Sequence, residues 1–213
     1  MIVLVILSIL LTGLKASNST QRLDSSENLV IQSNNEFSFR IYNMLAKDDN
    51  NDIISSFSII SALSILMNGA NNKTLDDFKR FLGYQNKKTN ELISDQTINN
   101  GFQIINGLYE NKSVEYKNSL NKTEEDNRYD TDLKHQLNVA NLVVRDESEV
   151  LKQEFVNAIQ LAFRAQVDRA DFKHNAVAET DKINQWIRKQ TNNKIQEIFK
   201  KLDPMTYFKY DLF

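Results

Sequence analysis

The sequence predicts an α+β fold whose helices surround one buried helix. Within residues 53–74, the segment from Ile59 to Met67 is apolar around nearly the whole helical circumference, interrupted only by small hydroxyl side chains, and a helix of that kind is normally covered on all sides. Five glycines and one proline among 213 residues leave room for long helices. Residues 137–144 place apolar side chains on both faces of a strand, which predicts a strand covered on both sides.

The chain begins with an apolar run over residues 1–16 that ends in small side chains. This run is too short to span a bilayer comfortably, and it predicts a secretory signal peptide cleaved near Ala16. Residues 17–32 are polar without a clear period and predict a flexible extension. Because the chain contains no cysteine, a secreted product cannot use disulfides and must be held by its core.

Four asparagines stand in N-x-[ST] sequons, the acceptor sequence for N-linked glycans. They fit a secretory route, although asparagine is so frequent here that each sequon alone is weak evidence. The glycosylation candidates are Asn18, Asn72, Asn111 and Asn121.

Two helix starts are predicted from their capping residues. Ser33 and Glu36 form a capping box that opens a first helix, and Ser55 or Ser56 can cap the central helix. Gly69 suits the left-handed position that ends a helix. The first helix has an apolar stripe made of Phe37, Ile41, Met44 and Leu45.

Two further helices and a loop are predicted before the strand. Thr74 begins a short helix that Gly83 closes, and a second apolar stripe runs from Phe102 to Tyr109. Residues 111–134 are hydrophilic with clustered charge, which predicts a surface loop or insertion.

The segment after the strand continues the α+β pattern. Ser148 is predicted to cap a helix, and Asn192 and Asn193 supply a left-handed exit from a later one. The remaining predicted elements are a short strand, an amphipathic helix and a final helical turn or two, over residues 165–172, 176–190 and 195–202.

Several short motifs occur in a fixed order along the chain. S-S-F-S-I-I-S-A-L runs from Ser55 to Leu63, and V-A-N occupies residues 139–141. I-N-Q-W-I occupies residues 183–187, with Thr191 after it. These motifs resemble the Ser-Pro-x-Ser-Ile-x-x-Ala-Leu helix, the "ala-asn-ala" strand and the Ile-Asn-x-Trp-Val…Thr-x-x-Lys-Ile signature of the serpin family. The resemblance covers about residues 33–206.

The resemblance implies a partial serpin fold, the N-terminal half of the family's domain, over residues 33–205. It places helices around the buried helix with two or three strands of the main sheet, while the remaining strands and the reactive loop lie beyond this chain. Residues 206–213 are either a truncated strand or a divergent tail. The implied activity is inhibition of a serine-type endopeptidase in the extracellular space, with that protease as partner of a full-length form. The alternative is a truncated, non-inhibitory secreted product that binds another partner.

No catalytic or reactive-site residue can be assigned in this chain, and we expect it not to be an enzyme. His135 and His174 lie in no zinc or nucleophile motif, and no metal or cofactor is expected. Near-neutral charge argues against nucleic acid as a partner. By the resemblance, only Lys112 lies where heparin-activated members carry a basic stripe, with Lys117 just beyond, so heparin binding is not expected. No membrane association is expected for the mature chain.

By the resemblance, Ser55 and Ser58 correspond to the small polar residues of the serpin shutter, the region where the main sheet parts. Small hydroxyls let strands slide and re-form hydrogen bonds. A second interpretation stays open, in which these serines only permit close packing under a sheet.

Overall fold

The computed structural model describes residues 2–9, 25–45, 55–119 and 138–203. Within them the chain forms six helices and three strands, which confirms the α+β class. In chain order these are β1 (Ile2–Ile9), α1 (Ser25–Leu45), α2 (Ser56–Met67), α3 (Asn72–Leu82), α4 (Asp95–Ser119), β2 (Asn138–Asp146), α5 (Gln153–Phe163), β3 (Gln166–Ala170) and α6 (Phe172–Gln190).

The three strands form one sheet with β2 in the centre. Strand β1 runs antiparallel to β2, from the pair Ile2 and Arg145 to the pair Ile9 and Asn138. Strand β3 runs parallel to β2 and joins it through α5, because two parallel neighbours need a crossover connection.

The two faces of β2 contribute to two separate hydrophobic cores. Val143 is buried among side chains of α1, α2, α4 and α5, whereas Leu142 and Val144 pack with Ile183 and Ile187 of α6. The prediction that both faces of this strand are covered is therefore confirmed.

Helix α2 is the buried central helix that the sequence predicts. Ile60, Ile65 and Met67 have no exposed surface. The predicted left-handed end at Gly69 is wrong, since Gly83 is the glycine with positive φ in the described part of the chain. The helix instead ends through a right-handed Asn68, and the Gly69 N–H donates to the Leu66 carbonyl at 3.0 Å.

Helix α1 begins at Ser25, eight residues before the predicted start at Ser33. Residues 25–32 are therefore helical rather than part of a flexible extension, and fully buried Val30 explains why. Ser33 lies inside the helix, where its hydroxyl donates to the Gly83 carbonyl at 3.1 Å. The predicted stripe also ends early, because Met44 is exposed.

Three other predictions are corrected by the structure. Helix α4 extends to Ser119, so residues 111–119 are helical rather than loop, while 120–134 lie outside the described residues. Ser148 does not cap α5, because its N–H and hydroxyl both donate to Asp146. Residues 195–202 contain no helix, although three of their apolar side chains pack beside α6.

Strand β1 consists of residues that the sequence assigns to a signal peptide. Cleavage of the predicted signal peptide stays a prediction. The assignment of residues 206–213 as a truncated strand or a divergent tail also stays a prediction, because these residues lie outside the described ranges. None of the helices in the described ranges has the length and apolar character needed to cross a membrane.

Candidate functional site

The shutter-like serines lie together at the start of α2. The hydroxyl oxygens of Ser55 and Ser58 are 2.7 Å apart, and either can be the donor. Ser55 has extended backbone angles, and its carbonyl accepts the Ile59 N–H at 3.3 Å. Ser55 thus stands at the N-cap position, but its side chain bonds Ser58 rather than a backbone amide.

A second hydroxyl pair joins α2 to α1. Ser38 Oγ lies 2.5 Å from Ser56 Oγ and 2.6 Å from the Asn34 carbonyl oxygen. A hydroxyl carries one proton, so Ser38 can donate to one of these oxygens at a time. We call Ser38, Ser55, Ser56 and Ser58 the α2 hydroxyl cluster; all four are half-buried.

A deeper polar pair supports the same helix. Ser64 Oγ and Tyr84 Oη are 2.7 Å apart, and both residues are fully buried. Burial raises the pKa of the Tyr84 phenol well above its ordinary value, so the group stays protonated. No motif marked Tyr84 in the sequence. The sequence feature that indicates such a residue is Ser64, because a buried hydroxyl on an apolar helix requires a hydrogen-bond partner.

The asparagines of two family-like motifs anchor backbone segments. Asn141 in β2 donates to the Phe163 carbonyl at 2.7 Å and so fixes the end of α5 to the sheet. Asn184 in α6 donates to the Phe199 carbonyl at 2.7 Å and accepts the Ile198 N–H at 3.1 Å. Asn184 thus uses both the donor and the acceptor of its amide, whereas Asn141 uses its donor and its buried Oδ1 has no hydrogen-bond partner among the described residues.

One group in the described part of the chain has the composition of a metal site. Ligand atoms of Glu147, Asp171 and His174 lie within 4.8 Å of one another. Asp171, however, caps α6: it accepts the His174 N–H at 3.0 Å and the Asn175 amide at 2.7 Å. The His174 N–H is also the main reason that the pKa of the Asp171 carboxyl is lowered. Helix capping therefore accounts for the position of Asp171 beside His174. His135 lies outside the described residues.

The four sequons differ in how far the structure describes them. Asn72 is exposed at the start of α3, and Asn111 lies within α4. Asn18 and Asn121 lie outside the described residues.

Comparisons with known proteins agree with this arrangement of helices and strands. A family model described as Serpin (serine protease inhibitor) matches residues 32–209. The chain belongs to the serpin family. Serpin B4 of Homo sapiens is 25% identical over 173 residues, which cover 81% of this chain and 42% of the relative. Neuroserpin of Gallus gallus is 25% identical over 170 residues, which cover 79% of this chain and 35% of the relative.

Solved serpin structures share the fold. Human glycosylated kallistatin superposes with a TM-score of 0.63 at 20% identity, covering 85% of this chain and 43% of the other. Arabidopsis AtSerpin1 gives a TM-score of 0.55 at 24% identity, covering 86% of this chain and 42% of the other. The chain thus spans about two fifths of the length of these relatives, and the predicted partial serpin fold is confirmed.

Proposed function

We propose that this serpin is a secreted inhibitor of serine-type endopeptidases that acts through a reactive loop outside these 213 residues. The family match over residues 32–209 is the observation that carries the proposal. Because the chain spans about two fifths of its relatives' length, the inhibitory activity of the whole protein is part of the proposal. The apolar residues 1–16 and the four sequons support the secretory route.

In this proposal the described residues form the frame on which the sheet moves. The α2 hydroxyl cluster supplies oxygens that can each donate or accept, so its hydrogen bonds can be exchanged when a neighbouring strand shifts. Ser55 and Ser58 are the residues to which we assign this shutter role. Close packing alone remains the competing interpretation of the same pair.

The direct test is to sequence the transcript past the codon for Phe213 and to assay the encoded product. We expect a longer product to form a complex with a serine protease that survives a denaturing gel. The 213-residue chain should form none, because none of its residues matches the scissile position. A longer product that neither inhibits a protease panel nor forms such a complex contradicts the proposal, as does a complex formed by the short chain.

A second candidate is a non-inhibitory secreted serpin that binds a partner. It is favoured by the apolar side chains at the end of α1, where Phe39 is 72% and Met44 77% exposed. A stop codon directly after Phe213 in every transcript would support this candidate over the inhibitor.

A further inference from the structure

Asn72 is the first residue of α3 and follows the short turn that leaves α2. Asn68, Gly69 and Ala70 close α2 through backbone hydrogen bonds, and Asn71 then adopts extended angles before the next helix. Asn72 itself has φ of 50°, a left-handed conformation that asparagine tolerates better than most side chains. The first residue of α3 therefore departs from regular helical geometry.

The sequon at this turn is open to solvent along its whole length. Asn72, Lys73 and Thr74 are all exposed, and so is Asn71 before them. Within the described part of the chain, no hydrogen bond engages the Asn72 side chain, so folding does not occupy its amide. A glycan is bulky and solvated and must stay outside the core after folding, which this position allows.

From these observations we infer that Asn72 is an N-glycosylation site of the folded protein. The inference rests on the secretory route proposed above, because the sugar donor is found there. In the reaction, Asn72 Nδ2 bonds to the anomeric carbon of an oligosaccharide carried on a lipid pyrophosphate. The bond from that carbon to the pyrophosphate oxygen breaks, the lipid pyrophosphate leaves, and Nδ2 loses one proton. The Thr74 hydroxyl completes the acceptor sequence.

The test is translation of the chain in the presence of microsomal membranes, with two leaders. One sample keeps residues 1–16 and the other replaces them with an established leader; protease protection reports entry into the membranes. We expect the protected chain to carry a glycosidase-sensitive modification on Asn72, identified by peptide mass. Each attached glycan slows the chain on a gel by one step. Asn72→Gln and Thr74→Ala should each remove one step from this mobility ladder, whereas Thr74→Ser should keep it.

Asn71→Gln is the matched control, since Asn71 is exposed and adjacent but stands in no sequon. This substitution should leave the ladder unchanged. The readout does not require a stable fold, so a poorly folding variant still reports. Protected chain with unmodified Asn72 overturns the inference. Entry only with the replacement leader overturns the proposed secretion while leaving Asn72 assigned, and no entry with either leader overturns both.

Discussion

Two glycines of α4 differ in what lies next to them. A Cβ added to Gly101 would lie 2.5 Å from the Ser26 carbonyl oxygen and 2.6 Å from a methyl group of Val30, both in α1. A Cβ at Gly107 would meet no atom of the described residues within 4 Å. Helices α1 and α4 therefore approach each other closely at Gly101. A residue with a side chain would not fit at this crossing, whereas glycine does.

Gly101→Ala should destabilise the protein by about 1–3 kcal/mol, because α1 must shift to accommodate the methyl group. Gly107→Ala is the control within the same helix and should stabilise by up to about 1 kcal/mol, since alanine favours helix over glycine. Urea denaturation followed by circular dichroism measures both. Equal effects of the two substitutions would contradict the close crossing.

The buried pair of Tyr84 and Ser64 makes a second prediction. Tyr84→Phe leaves the Ser64 hydroxyl buried without this partner and should cost about 1–3 kcal/mol. Adding Ser64→Ala should restore part of the loss, because both polar groups are then gone. Thermal denaturation of the parent, the two single variants and the double variant gives the four stabilities of a double-mutant cycle. Purely additive losses would show that the two hydroxyls do not interact.

The same phenol predicts an alkaline effect on stability. Since the folded pKa of Tyr84 is raised, its stabilising effect is complete below the unfolded pKa of about 10 and is lost as pH rises towards the folded pKa. The free energy of unfolding should therefore fall above about pH 10, and less steeply in Tyr84→Phe. An identical slope in both proteins would count against this assignment.

At the scale of single elements, α6 depends on its first turn. Asp171→Ala removes the acceptor of the His174 N–H and of the Asn175 amide, so the thermal midpoint should fall at neutral pH. Because the folded pKa of Asp171 is lowered, this contribution exists above the unfolded pKa of about 3.9 and is lost as pH falls through the folded value. The variant and the parent should therefore converge in acid. Asp181→Asn, an exposed change on the same helix, should alter little at any pH.

The elements show which signals in a sequence suffice. The all-apolar surface of α2 predicted a buried helix, and apolar side chains on both faces of residues 137–144 predicted β2 with two covered faces, because burial depends directly on side-chain chemistry. Helix ends were less predictable: the capping box at Ser33 lies inside α1, and the Ser148 side chain binds Asp146 instead. The position of a helix end depends on tertiary contacts as well as on local capping residues. The burial of Val30, which extends α1 before Ser33, is such a contact, and a short capping motif carries no information about it.

At the scale of the whole molecule, the sheet depends on strand β1. A chain lacking residues 1–16 leaves one edge of β2 without the antiparallel partner seen here, and an unpaired edge favours association with other chains. We expect this shortened chain to form larger species in size-exclusion chromatography with light scattering. A chain lacking residues 204–213 is the control and should associate less. A strictly monomeric shortened chain would contradict this role of β1.

The candidate site was predictable only in part at this scale. Family-like motifs predict Ser55 and Ser58 as shutter-like residues, and the structure places their hydroxyl oxygens 2.7 Å apart. Ser38 was not identified, because it lies on another helix and joins the α2 hydroxyl cluster only through tertiary packing. Tyr84, which follows α3, was also missed, because only tertiary packing brings it to Ser64.

Pairing of β1 with β2 also imposes an order in time. About 130 residues separate the two strands, so β2 is made roughly 7–26 s after β1 at a synthesis rate of 5–20 residues per second. During that interval residues 2–9 have no β2 to pair with and remain available to export factors. Under the secretion proposed above, export and cleavage of residues 1–16 would precede the synthesis of β2, and β1 would form only in chains that were not exported.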